Sequence, residues 1–250
     1  MSMNLVLGIE TTTTAGSVVL IENPNRPDER TLVSEQWRRD RSHAEVLGPA
    51  LETIAPYFKK LSSIAVGQGP GSFTGIRVGI NAARALGWSL KLPVVTVTST
   101  ENMIEGARAS GALTPGELIV ATLPAQMGLV FAQWSFGTGT GRQLSGPAAY
   151  SAQQLSALLL TLQNTHFAGQ SVPICLIGDG RTLVETTLRD SGLKIQRPGG
   201  ELDFPTGHVA IRLAQQRLFA PPFVRKDDKF SWQTAQPLYI RGSGAEENLS

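Results

Sequence analysis

The sequence predicts an α/β protein of two lobes, each a mixed sheet flanked by helices. Two observations lead to this. The chain opens with three short apolar runs and continues helix, strand, helix, strand, helix, an order that places antiparallel strands first and parallel crossovers after them. Beyond the linker predicted over Ala109 to Gly116, a second set of elements loosely echoes the first. The lobes are therefore expected over residues 1–108 and 109–250, the second ending in a tail from Gly242 to Ser250.

Leu5 to Ile9, Gly16 to Ile21 and Thr31 to Trp37 read as strands, the first two joined as a hairpin by the polar turn Thr11 to Ala15. Two prolines among charged residues make Asn23 to Glu29 a surface turn. Ser42 and Glu45 have capping-box spacing and open a helix expected to reach Phe58. A strand over Ser63 to Val66 leads into Gly67-Gln68-Gly69-Pro70-Gly71-Ser72, and Phe73 to Lys91 follows as a helix. Val94 to Val97 is the next strand, after which Thr98 and Glu101 cap a helix ending near Gly111.

In the second half, strands are predicted near Leu118 to Leu123, Leu129 to Phe136 and Ile174 to Ile177. Helices are predicted from Ser151, over Arg181 to Arg189 and over His208 to Leu218. Thr138 to Gly141 and Ser191 to Gly200 read as loops.

With 250 residues and 41% hydrophobic content, the chain is expected to bury a core without cross-links. One cysteine, Cys175, rules out an intrachain disulfide and a thiolate cluster, which fits a reducing cytosol; within Val172 to Ile177 it reads as a small buried hydrophobe. No apolar run reaches the roughly 20 residues a membrane span needs, and Met1 to Ile9 lacks signal-peptide features, so a cytoplasmic protein is expected. A net charge of +2 provides no dense basic surface for phosphate backbones, so any nucleic acid would be held mainly by another component. The mixed-sign cluster Arg225 to Lys229 reads as a solvated loop.

Wound at about 100° per residue, Phe73 to Leu90 gathers Thr74, Arg77, Asn81 and Arg84 into one polar stripe; an apolar arc of roughly 220° surrounds it. One sheet needs less than that. The surplus, drawn from Val78, Ala82, Ala85, Leu86 and Trp88, requires a second cover. The helix from His43 adds Val46, Leu47, Ala50, Leu51, Ile54 and Phe58 on an arc of roughly 180°. Either the two helices form a docking surface for another protein or they pack on each other.

The run Gly69 to Gly75, between a strand and a helix, offers backbone N–H groups to an anion, with Glu10, Thr11, Thr12, Gly69, Gly71 and Ser72 as the weak candidates for a nucleotide contact. It lacks the Gly-Lys-Ser/Thr of a P-loop and the dinucleotide spacing, so a tight turn allowing close helix–strand approach is the better reading. His43 is followed four positions later by Leu47, and His166 and His208 have no His or Cys at ligand spacing. No metal site is expected, and His43 reads as a packing or polar-network residue.

The run Gly69 to Gly75 continued by Ile76-Arg77-Val78-Gly79-Ile80, then Pro93 and Thr98 to Glu101, resembles the signature of the TsaB family. Gly8-Ile9-Glu10-Thr11-Thr12-Thr13, Ser42-His43-Ala44-Glu45, Met127-Gly128 and Pro237-Leu238-Tyr239-Ile240-Arg241 fall in the order that family shows, most closely over residues 4–108. The resemblance implies an actin-like, hexokinase-like fold and a non-catalytic subunit with no cofactor. Its implied partner is the TsaD catalytic subunit, on which it docks through first-lobe helices, with TsaE as ATPase. The implied complex places threonylcarbamoyl on an adenosine beside the anticodon of tRNAs reading codons that begin with A, and the subunit self-associates when alone. The family usually carries Asp-Ala-Arg where this chain has Pro124-Ala125-Gln126, a departure that leaves the second-lobe turn without a carboxylate. Kinases of the superfold need carboxylates in two such turns. Glu10 supplies only the first, so the competing reading, an independent phosphotransferase or hydrolase, is the weaker one.

Overall fold

A computed structural model of the chain describes residues 4–38, 43–111, 113, 116–137, 142–198, 200–219 and 230–240. It divides into two units. The first takes in the described residues up to Asn102 together with those from Pro205 to Leu238, and the second takes in those from Met103 to Phe204 together with Tyr239 and Ile240.

The sheet of the first unit consists of β1 (Leu5–Glu10), β2 (Ala15–Glu22), β3 (Arg30–Arg38), β4 (Leu61–Gly67) and β5 (Val94–Val97), in the order β3-β2-β1-β4-β5. Hairpin connections make β1–β2 and β2–β3 antiparallel, while crossovers make β1–β4 and β4–β5 parallel. Helices α1 (His43–Glu52) and α2 (Phe73–Leu90) cover the face formed by Leu5, Leu7, Ile9, Val18, Leu20, Ile64 and Val66. Helix α6 (Gly207–Phe219) covers the other face, with Val6, Val19, Ile21, Ala65, Val95 and Val97. Strands buried on both faces need unbroken apolar runs rather than alternation, and Leu-Val-Leu-Gly-Ile has that character. Gly8 lets α6 approach: a Cβ there would lie 2.4 Å from the Gly207 carbonyl oxygen.

The second unit repeats the scheme with β6 (Leu118–Pro124), β7 (Val130–Phe136), β8 (Gln143–Leu144), β9 (Ala148–Tyr150), β10 (Ile174–Ile177) and β11 (Ile195–Gln196). Their order is β11-β10-β6-β7-β8, with β9 also on β7; β6 is antiparallel to β7 and parallel to β10. Helices α4 (Ala152–His166) and α5 (Arg181–Asp190) cover one face, and Met103, Ile104 and Ala107 of α3 (Ser99–Ala109) pack on the other. The echo between halves is thus a shared topology. Ser151 opens α4 with a full capping box, its hydroxyl accepting from Gln154 N and the Gln154 side chain from Ser151 N.

Several expectations change. The lobe boundary at residue 109 does not hold, because α6 belongs to the first unit and α3 changes unit at Met103. Without α6 one whole apolar face of the first sheet would be wet. The helix from His43 stops at Glu52 rather than Phe58, and a 3-10 turn over Ala55–Lys60 follows. Pro56 has no N–H to continue the α-helical ladder and disfavours helical geometry at Ala55. Strand β11 lies within the segment read as a loop over Ser191 to Gly200. Thr98 and Glu101 do meet, the Thr98 hydroxyl donating to the carboxylate at 3.2 Å. Ser42, Arg225 to Lys229, Thr138 to Gly141, Arg241 and the tail from Gly242 lie outside the described residues.

Leu47, Ala50 and Ile54, assigned to a partner surface by their helical arc, are buried in the first unit's core. The wheel separates apolar from polar faces but not an apolar face under a neighbouring helix from one in water.

Two outcomes follow from this packing. Leu47→Ala is expected to cost about 3 kcal/mol in a denaturant melt, the range for an emptied core site, whereas Ala85→Ser on the outer side of α2 stays within about 0.5 kcal/mol. Burial pushes the Cys175 thiol up to about 12, so a thiol reagent at pH 8 should leave it untouched in the native protein and label it once after unfolding.

Candidate functional site

The turn after β1 is built from buried polar residues. Glu10, Thr11 and Thr12 are fully buried and Thr13 nearly so. The Glu10 Oε1 accepts from the Thr12 backbone N–H at 2.8 Å and from its hydroxyl at 2.6 Å, while Oε2 is buried with no hydrogen-bond partner. Gly67, at the end of β4, makes room for that carboxyl, since a Cβ there would stand 2.3 Å from Oε2. Burial raises the Glu10 carboxyl above the ordinary carboxylate range, only partly offset by the Thr12 bonds. Ser99, at the start of α3, donates to the Thr12 hydroxyl at 2.7 Å.

The same turn lies against α2. Ser72 caps that helix, its side chain accepting from Gly75 N, and its own N–H donates to the Thr12 carbonyl at 2.7 Å. The Thr11 hydroxyl donates to the Gly75 carbonyl at 2.8 Å. A Cβ at Gly71, Gly75 or Gly79 would lie 2.1, 2.0 or 2.3 Å from Thr12 O, Thr11 O or Thr11 Oγ1. Gly69, at a φ of 98°, is likewise closed in, by Ile76 and the Leu238 carbonyl. The glycines therefore serve close approach, in agreement with the tight-turn reading. The six nucleotide-contact candidates Glu10, Thr11, Thr12, Gly69, Gly71 and Ser72 come together, but hydrogen bonds within the chain engage the side chains of Thr11, Thr12 and Ser72 and the Glu10 Oε1, while Glu10 Oε2 has no hydrogen-bond partner.

His43 closes the arrangement. The Trp37 indole N–H donates to its Nδ1 at 3.0 Å, which leaves Nε2 to donate to the Thr13 carbonyl at 2.6 Å. It is a polar-network residue, as its isolation from other histidines predicted. Among the described residues no three His, Cys, Asp or Glu side chains gather as a ligand set.

The outer face of α2 is the second feature. Trp88 is 67% exposed and Phe73 54% exposed, and the Arg77 guanidinium lies 3.9 Å from the Phe73 ring centroid. Ala85 is exposed between them, whereas Val46, Val78, Ala82 and Leu86 are half-buried. Val78, Ala82 and Leu86 pack against the cluster holding Leu47, Ala50 and Ile54. The two apolar helices thus satisfy much of their surplus on each other and on the sheet, and α2 keeps Phe73, Ala85 and Trp88 exposed on the side that also exposes Thr74, Arg77 and Asn81. Sequence reasoning missed Phe73, at the first position of the helix, and Ser99, Gly67 and Gly79, which serve the turn. The spacing of four between Gly71, Gly75 and Gly79 was the available signal.

The turn of the second unit, between β6 and β7, carries no carboxylate; Met127 there is exposed at a φ of 58°. Asp179, after β10, has a buried oxygen without a hydrogen-bond partner, and burial raises its carboxyl. Asp203 beside it accepts from Gly178 N and pairs with Arg181.

Comparison with known proteins places these features. A family model described as TsaD, tRNA N6-adenosine threonylcarbamoyltransferase, matches residues 38–158. The "tRNA threonylcarbamoyladenosine biosynthesis protein TsaB" of Escherichia coli is 31% identical over 98% of this chain and 97% of its own. That of Haemophilus influenzae is 32% identical over 50% of this chain and 51% of its own. The solved structure of YeaZ from Pseudomonas aeruginosa shares the fold with a TM-score of 0.69 at 23% identity, over 95% of this chain and 100% of that one. With two mixed sheets of one topology and a relative matched from end to end, the chain belongs to the TsaB family.

Proposed function

We propose that this chain takes part in tRNA threonylcarbamoyladenosine biosynthesis as a non-catalytic subunit that docks on a TsaD-type catalytic partner. A TsaE-type ATPase completes the working complex, and tRNA is held mainly by the other components. Alone, the chain associates with a second copy through the same surface; it works in the cytoplasm. The observation that carries the reading is the outer side of α2, where Phe73, Ala85 and Trp88 remain exposed beside Arg77 and Asn81 although the same helix buries Ile76, Ile80 and Ala83. Large aromatic side chains left in water on a well-anchored helix are the anchors that protein interfaces use. Family membership and the match to a TsaD model support the choice of partner. Among the described residues no helix is long and apolar enough to cross a membrane.

The competing reading, an independent phosphotransferase or hydrolase, draws on Glu10, whose buried Oε2 has no hydrogen-bond partner. A catalytic carboxylate must reach its substrate. Glu10 is wholly buried and turned into its own loop, which favours a structural role.

Three measurements test this. Co-purification with the TsaD-type subunit of the same cell, with mass read by light scattering, should give a stable complex. Trp88→Ala should weaken it by about 2 kcal/mol, near 30-fold, with an unchanged melting temperature; normal binding by both Trp88→Ala and Phe73→Ala would place docking elsewhere. Second, the isolated chain should turn over no nucleotide, and ATP hydrolysis lost in Glu10→Gln would establish the competing reading.

The third concerns pH. Because the folded Glu10 binds its proton more tightly than the unfolded one, its contribution to stability is present at low pH and is lost as pH climbs from the ordinary value of 4.5 through the raised folded value. The stability of Glu10→Gln relative to wild type should therefore improve across that window, as read by denaturant melts at successive pH values. A difference independent of pH would mean that Glu10 ionises as freely folded as unfolded.

A further inference from the structure

We propose that the buried turn Thr11–Thr13 is a positioning device that fixes α1 and α2 relative to each other and so shapes the docking face, with Glu10 acting as its clamp. The proposal rests on the docking reading above. Three consecutive residues of the turn each hold one of the two helices. Thr11 donates to the Gly75 carbonyl, Thr12 accepts from Ser72 N, and Thr13 accepts from His43 Nε2. The first two reach the opening turn of α2, and the third reaches the first residue of α1.

These bonds are held from behind. Glu10 takes both donors of Thr12, and Ser99 holds the Thr12 hydroxyl from the other side. Trp37 fixes the His43 ring so that the nitrogen facing Thr13 is the one carrying hydrogen. Gly71, Gly75 and Gly79 leave no space for a Cβ between turn and helix, so the turn sets how close α2 comes to β1.

Helix α1 needs such a tie. It has 10 residues with Pro49 inside, shorter than a helix that persists on its own. Leu47 and Ala50 bury its inner side, but its N-terminal end is held to the turn through His43. A partner that spans two helices meets a preformed surface only if their spacing is fixed beforehand; otherwise binding must also order them.

Thr11 provides the test because it is fully buried and cannot touch a partner. Thr11→Val keeps the shape and deletes the hydroxyl, and Thr11→Ser keeps the hydroxyl. Measured by titration calorimetry against the TsaD-type subunit, well below the melting temperature, Thr11→Val should bind about tenfold more weakly and Thr11→Ser close to wild type. A merely structural hydroxyl would lower the melting temperature and leave the affinity of the folded protein unchanged, which would overturn the proposal. Equal losses in Thr11→Val and Thr11→Ser would also overturn it.

Trp88→Ala, run alongside, separates the two ideas. If it binds weakly while Thr11→Val binds normally, docking stands and the positioning role falls; if both bind normally, both fall. Should Thr11→Val fail to fold, His43→Phe, which loses the bond to Thr13, and His43→Gln, which can still donate there, decide the same question. Weak binding by the first and recovery in the second is expected, and normal binding by His43→Phe overturns the proposal.

Discussion

The first unit depends on backbone approaching backbone where no side chain fits. At Gly75 a Cβ would lie 2.0 Å from the Thr11 carbonyl oxygen, and at Gly8 it would lie 2.4 Å from the Gly207 carbonyl oxygen. These two approaches, one on each face of β1, set the distance from sheet to α2 and from sheet to α6. Alanine at either place would force backbone against backbone, which a tightly packed interior absorbs only by moving a whole element. The apolar clusters on the two faces can interdigitate because the glycines permit that spacing.

Close approach also governs the polar chemistry of the turn. A segment pressed between sheet and helix loses water, so its polar groups must find partners inside the protein. The Thr11 hydroxyl and the Thr12 and Thr13 carbonyls do so by bonding to the two helices, and Glu10 accepts from Thr12. The cost is a carboxyl without water, visible as the raised proton affinity of Glu10 and its unmatched Oε2. The carboxylate that a kinase-like reading takes for a metal or phosphate ligand is thus engaged in holding its own loop.

The surface is accordingly narrower than helical wheels imply. Val78, Ala82 and Leu86 are largely consumed within the first unit, and Leu47, Ala50 and Ile54 entirely so. What remains in water is a few large side chains along α2, with Arg77 stacked on Phe73 as a cationic edge. With exposed Arg77 and Asn81 between them, Phe73 and Trp88 present aromatic surface on a rigid support without a broad greasy face that would aggregate.

By itself the sequence determined the strand and helix identities of the first unit, the hairpin opening, the tight-turn role of the glycines, the polar-network role of His43 and the family. These are readable because period, caps and glycine spacing are local and act through neighbours in the chain. Three things were decided only by tertiary structure. Helix α6 joins the first sheet rather than the lobe that precedes it, since which apolar face covers which depends on where the chain returns after 100 residues. Leu47 and Ile54 lie under α2 and the sheet rather than on a partner, because burial is a property of neighbours that a wheel does not contain. The bonds from Thr11 to Gly75, from Thr12 to Ser99 and from Thr13 to His43 join residues between 30 and 87 positions apart, so no local pattern could announce them, and they arise only once the sheet has brought those segments together.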